Sequence, residues 1–239
     1  MINTLPGADK SARTMTYLLA SGKPFSYWRF GDGALETIYN RLGQSCDGER
    51  YRQDMGADIL RAIGDLQQAP GDTLVYFGDW ASAVNGSAPK YVDVWRELVK
   101  VPPDRLLHFE AVLLNRRTTE LLDFYKAVKV DPRRKLIVGA EFNRPAGAML
   151  GADYLAVPFV DLYQCIEHVA ARIRAVHYDV LLFGAGLAGV IPIVDEWRRH
   201  PERTYIHMGS AFDPLFKGRT RSGQLSTYQA RAFLREVIH

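Results

Sequence analysis

The sequence predicts an α/β fold, a mainly parallel sheet with helices on both faces, as a single domain over residues 1–239. Three observations predict it. Short apolar or β-branched runs alternate with stretches of helical spacing, and that alternation builds βαβ units whose crossovers cover both faces of the sheet. Glycine beside a polar residue recurs where the apolar runs end, the place at which open α/β sheets gather ligands. The breaks Pro70-Gly71, Val101-Pro102-Pro103 and Asp131-Pro132 are short, so they punctuate connections and separate no domains.

In chain order, an aromatic run (Phe25, Tyr27, Trp28, Phe30) stops at Gly31-Asp32-Gly33. Leu35, Ile38, Tyr39 and Leu42 then recur at helical spacing, so the three residues form a strand-to-helix turn. Further strands are expected over 72–78, 105–113, 135–140, 153–159, 179–185 and 204–210, each apolar or β-branched. Helices are expected over 118–128, 163–176 and 188–199, and the chain ends in a last helical stretch, STYQARAFLREVI.

With 47% hydrophobic and 24% charged residues in 239, the chain has the composition of a globular protein with a substantial core. The run VLLFGAGLAGVIPIV is too short and too glycine-rich to span a bilayer, and MINTLPGADKSARTM has no apolar signal-peptide core. A cytoplasmic protein with no membrane span is expected. Cys46 and Cys165 stand outside any CxxC or Cys/His cluster, so reduced thiols are expected. No HExxH, GxxxxGKS or Ser-His-Asp order occurs, which removes support for zincin, P-loop and triad-hydrolase chemistry. Net charge is +3, yet residues 197–239 carry eight Arg or Lys against three acids. Such a basic segment suits a polyanion, either a nucleotide diphosphate or a nucleic acid, or else it is a solvated face.

The turns Gly31-Asp32-Gly33, Gly78-Asp79-Trp80, Gly139-Ala140-Glu141, Gly184-Ala185-Gly186 and Gly209-Ser210 all sit at expected strand ends. Gly184-Ala185-Gly186-Leu187-Ala188-Gly189 matches the GxGxxG dinucleotide fingerprint between a strand and a helix. The next strand carries no acid at its tip for a ribose, and about fifty residues are too few to complete a dinucleotide fold after a first turn of this kind. Phosphate binding without NAD is the expectation for this turn.

Trp28-Arg29-Phe30-Gly31-Asp32-Gly33 resembles the RFGDGE signature of the GT-D-type glycosyltransferases, and VLLFGAGLAG and YIHMGSAFDPLF resemble that family's C-terminal glycine turn and closing strand-loop. The resemblance implies a Rossmann-like fold and transfer of a sugar from a nucleotide-diphosphate donor. It further implies that Asp32, paired with a Glu two residues on, engages a divalent metal (Mn²⁺ or Mg²⁺) and the donor diphosphate. Here that Glu position is Ala34, and Glu36, at i+4 from Asp32, is the nearby alternative ligand.

The expected donor-binding set is Arg29, Gly31, Gly33, Gly184, Gly186, Gly209, Ser210, Arg219 and Arg221. The last two belong to a glycine-bounded basic loop expected to close over a ligand. Asp32, Asp79 and Glu141 are the candidate catalytic carboxylates, Glu141 as base toward an acceptor hydroxyl. Trp80 is placed either to stack on a base or sugar or to be buried, and His207 reads as a core histidine. The acceptor is a carbohydrate or, given the basic C-terminal segment, a modified base in DNA as in phage DNA modification. Two other functions stay open: a nucleotide-binding protein without turnover, and an NAD(P)-dependent oxidoreductase using GAGLAG.

Overall fold

The computed structural model describes residues 7–39, 43–45, 48–82, 89–217 and 224–238. Seven strands, β1 (Ser26–Trp28), β2 (Val75–Asp79), β3 (Leu106–His108), β4 (Lys135–Ala140), β5 (Asp153–Val157), β6 (Val180–Gly184) and β7 (Thr204–His207), form one sheet in the order β3-β2-β1-β7-β6-β4-β5. Every pairing is parallel. The helices are α1 (Ala8–Ala20), α2 (Asp32–Ile38), α3 (Gln53–Gln67), α4 (Pro89–Leu98), α5 (Thr119–Val130), α6 (Pro145–Leu150), α7 (Ile166–Arg174), α8 (Val190–Arg199), α9 (Asp213–Phe216), α10 (Thr227–Phe233) and α11 (Arg235–Ile238).

Parallel strands covered on both faces must be apolar on both, and β6 is buried at Val180, Leu181, Leu182 and Phe183 without a break. Successive residues feed opposite cores. Leu181 and Phe183 pack with α2, α3, α4, α7 and α8, while Val180 and Leu182 pack with α1, α5, α6, α9, α10 and α11. The helices α1 and α3 were absent from the expected elements. The spacing of Met55, Ile59, Ala62, Ile63 and Leu66 in α3 is a clear buried stripe. At α1 the stripe includes Ser11 and Ala12, small residues that blur it.

The positions of these helices decide where a ligand fits. β1 pairs with β7 through Ser26↔Tyr205 and Tyr27↔Ile206. Yet β1 continues into α2 on one face, and β7 continues toward α9 and α10 on the other. Connections leaving neighbouring strands for opposite faces open a crevice at their C-terminal ends, the topological switch point of an α/β sheet.

Two expected strands overrun the C-terminal ends of the observed ones by three residues or more. The 204–210 strand stops at His207, where Gly209 takes a positive φ of 56°. The 105–113 strand stops at His108, and its remaining apolar residues fold into turns closed by Ala111 N–H to His108 O and Leu113 N–H to Glu110 O. Ala111, Val112 and Leu114 are buried beneath this loop, so hydrophobicity there reports burial and not extended backbone.

Candidate functional site

The switch point holds a cleft of about 730 Å³, within the range of small-molecule sites. Residues from the ends of β1, β2, β3, β4, β6 and β7 converge on it.

Arg29 organises its floor. It is buried, its Nε donates to Phe109 O at 2.6 Å, its guanidinium donates to Met208 O at 3.1 Å, and it lies 4.3 Å over the Phe109 ring. One side chain thus ties the tips of β1, β3 and β7 together. A Cβ at Gly209 would come within 2.4 Å of Arg29, so both the positive φ and the close approach require glycine there. Gly184 is constrained in the same way, since its Cβ would meet Gly209 O at 2.4 Å.

Two histidines line the cleft beside this floor. His207 Nδ1 accepts the Arg29 backbone N–H at 3.3 Å, and its ring stacks on Phe183 at 4.4 Å. His108 Nδ1 accepts the Glu110 backbone N–H at 3.1 Å. With Nδ1 an acceptor in both, the ring proton belongs on Nε2, and both residues line the cleft. Burial, reinforced at both rings by the Arg29 charge, keeps them neutral. The pKa of His207 falls well below the ordinary value, and burial and Arg116 bring that of His108 down to about 4. They are hydrogen-bond donors here, not bases.

Asp32 is exposed at the cleft as the first residue of α2, and Oδ1 accepts the Gly33 N–H at 2.9 Å. Gly31 fits under Trp80 and Phe109, whose rings meet edge to face with centroids 4.6 Å apart. Trp80 is therefore a buried wall residue. On the far side, the ends of β4 and α9 contribute Phe142, Asn143 and Asp213, and Phe159 follows β5. Asn143 Nδ2 donates to Asp213 Oδ1 at 3.3 Å, and Lys217 lies 3.6 Å from the Asp213 carboxylate.

No protein-family profile matches the chain, and no curated protein sequence does. Two solved structures match its fold. One, a selenomethionine-substituted structure of domain of unknown function 1792, has a TM-score of 0.62 at 15% identity, covering 97% of this chain and 92% of that one. The other presents domain 1792 as having a distinct glycosyltransferase fold; its TM-score is 0.63 at 15% identity, over 98% of this chain and 94% of that one. This protein has a glycosyltransferase-like fold. At that identity the likeness concerns the fold, a Rossmann-like parallel sheet with helices on both faces.

The cleft brings together Arg29, Gly31, Asp32, Gly33, Gly184, Gly186, Gly209 and Ser210 of the expected residues. Others fall elsewhere. Glu141 is exposed and held by Arg144 through contacts of 2.6 and 2.8 Å, an engagement that lowers its pKa and weakens it as a base. Asp79 is buried, accepts the Ala81 N–H through Oδ1 and has no partner on Oδ2 among the described residues. Burial pushes its carboxyl pKa up. Glu36 accepts the Tyr91 hydroxyl from α4. Arg219, Arg221 and most of the basic loop around them lie outside the described residues, as does Cys46. Among the described residues no helix is long and apolar enough to cross a membrane, and no group of three or more His, Cys, Asp or Glu is placed to hold a metal.

Sequence reasoning missed the cleft roles of His108, Glu110, Asn143, Asp213 and His207. A signal existed for two of them: His108 and Glu110 interrupt an otherwise apolar run, as polar side chains do where a strand tip turns toward a site.

Proposed function

We propose that this protein is a glycosyltransferase that moves a sugar from a nucleotide-diphosphate donor to a hydroxyl acceptor. The observation that carries the reading is the switch-point cleft, lined by Asp32 and by two neutral imidazoles within a glycosyltransferase-like fold. Transfer forms a bond from the acceptor oxygen to the anomeric carbon as the bond to the diphosphate breaks. The departing diphosphate gains negative charge, and the acceptor hydroxyl loses a proton.

His207 and His108, fixed as neutral N–H donors, would hold diphosphate oxygens without titrating near neutral pH. Asp32 repels a bare phosphate, so its place in this wall fits a cation shared with the donor. The donor set suits a divalent ion carried in by the diphosphate: one exposed carboxylate, with Ala34 where a second would stand and Glu36 committed to Tyr91. When bound, such an ion would neutralise the leaving group. Besides Asp32, the carboxylates lining the cleft are Glu110 and Asp213, each itself hydrogen-bonded, and the acceptor's proton is assigned to one of these because Glu141 does not line the cleft.

A carbohydrate acceptor fits better than DNA. Among the described residues of the basic C-terminal segment, Arg198, Arg199, Arg203 and Lys217 are ion-paired, and Arg231 donates to Leu215 O. Calorimetry with UDP- and GDP-sugars against NAD(H), followed by a donor-hydrolysis assay, tests the reading. A nucleotide sugar should bind and be slowly hydrolysed. Binding of NAD(H) alone, or of a nucleotide with no turnover under any acceptor, overturns it in favour of an oxidoreductase or a binding protein.

A further inference from the structure

The far wall of the cleft differs chemically from the floor. It offers acceptors. Asn143 is only 3% exposed, and its Oδ1 is buried with no hydrogen-bond partner among the described residues. The orientation of this amide is decided by its neighbour: Nδ2 must face the Asp213 carboxylate, which accepts at 3.3 Å, so the unpaired atom is the carbonyl oxygen. Leaving a buried acceptor unpaired is costly, and Asn143 lines the cleft, where a ligand's donor can supply the partner.

Two aromatic rings flank it. Phe142 precedes Asn143, and its ring meets Phe159 edge to face with centroids 5.2 Å apart. Both rings are half-buried and line the cleft. Lys217 stands 4.4 Å over Phe159 and beside Asp213, holding that corner together.

We infer that Asn143, with Asp213, Phe142 and Phe159, forms a subsite for a sugar ring, in which Asn143 Oδ1 accepts a ring hydroxyl and the ring's C–H face lies against the phenyl pair. A ligand for this wall must bring O–H donors and apolar C–H surface and must carry no anionic charge beside Asp213. A pyranose satisfies all three conditions; a phosphate has no apolar C–H surface and is anionic. The inference deepens the glycosyltransferase reading and rests on it for the origin of the sugar, which is either the donor's transferred ring or the acceptor's.

Asn143→Leu removes the acceptor oxygen at similar volume, and Phe142→Leu, on a half-buried ring, removes the aromatic face with less risk to the core. Thermal melts show which variants are folded. If the donor's sugar occupies the subsite, both variants bind the nucleotide sugar about tenfold more weakly while bare UDP or GDP binds as in the wild type. If the acceptor's sugar does, donor binding and hydrolysis stay unchanged and the acceptor KM rises by a similar factor. Unchanged donor-to-nucleotide affinity ratio and unchanged acceptor KM in folded variants overturn the inference. Should the wild type bind no nucleotide sugar, the glycosyltransferase reading fails separately. The subsite then stands or falls on saturation-transfer NMR with free methyl hexosides. A signal with the wild type that is lost in Asn143→Leu supports it, and no signal, or equal signals, removes it.

Discussion

The floor of the cleft and its far wall are built from the same kind of parts, strand tips followed by glycine or a short helix, yet they present opposite chemistry. Around β1 and β7 the backbone is held by a buried arginine, and the groups left over are imidazole N–H donors. Around β4 and α9 the cleft is lined by an amide oxygen and two phenyl rings, beside a carboxylate that Asn143 and Lys217 already engage. The difference teaches that polarity in a cleft follows from what the scaffold has already consumed. Arg29 and Arg116 carry positive charge, but their N–H groups go largely to carbonyls and to Asp9, so the imidazoles, not the guanidinia, are left to face a ligand.

The comparison is broken most severely at Arg29. Arg29→Met removes the guanidinium that joins three strand tips beneath the cleft, leaving Phe109 O with the Tyr27 hydroxyl alone and Met208 O with the Ala211 N–H alone, and it should cost about 2–3 kcal/mol of folding stability. Urea denaturation measures this. A loss under about 1 kcal/mol means the strand tips hold without the clamp.

Next in size is Asp32→Asn. The residue is exposed and its one contact to Gly33 survives in the amide, so the unfolding midpoint should not move. Turnover should fall at least about a hundredfold if the carboxylate positions the diphosphate or its cation. Wild-type rates in the folded variant would return Asp32 to a simple helix-terminal residue.

The histidine wall gives a pH signature. Each imidazole has a folded pKa below its unfolded value of about 6.5, that of His108 reaching about 4. The unfolded chain therefore takes up protons first as pH falls. Their contribution to stability is fully present above about pH 6.5 and declines as pH drops toward 4. Urea midpoints at pH 7.5 and pH 5 should show this fall, and His108→Gln should reduce it. A pH-independent midpoint contradicts two half-buried histidines held neutral.

The smallest effect expected is at Ala34. It lines the cleft next to Asp32 but is buried, so a glutamate there has to turn outward to reach a ligand. Ala34→Glu should tighten Mn²⁺ binding in the presence of nucleotide by several-fold, on the order of 1 kcal/mol. If wild-type binding is already tight and Glu36→Gln abolishes it, Glu36 has left Tyr91 to become the ligand.

What the sequence by itself determined was periodicity and punctuation. Alternating strands and helices, glycines at strand tips and the Gly31-Asp32-Gly33 turn were all legible, because they rest on local spacing and on conformations few residues adopt. Trp80 illustrates the limit. Its local sequence is equally consistent with stacking on a ligand and with burial, and only the packing of Phe109 against it decides for burial. Glu141 and Asn143, two residues apart, had no local feature to rank them. Glu141 pairs with Arg144 only three residues on, but the tertiary structure left it outside the cleft and set Asn143 against Asp213, seventy positions away. Those outcomes depend on strand order, β7 inserted between β1 and β6, and strand order comes from which helices cover which face. That is a property of long-range burial, and a local pattern carries no record of it.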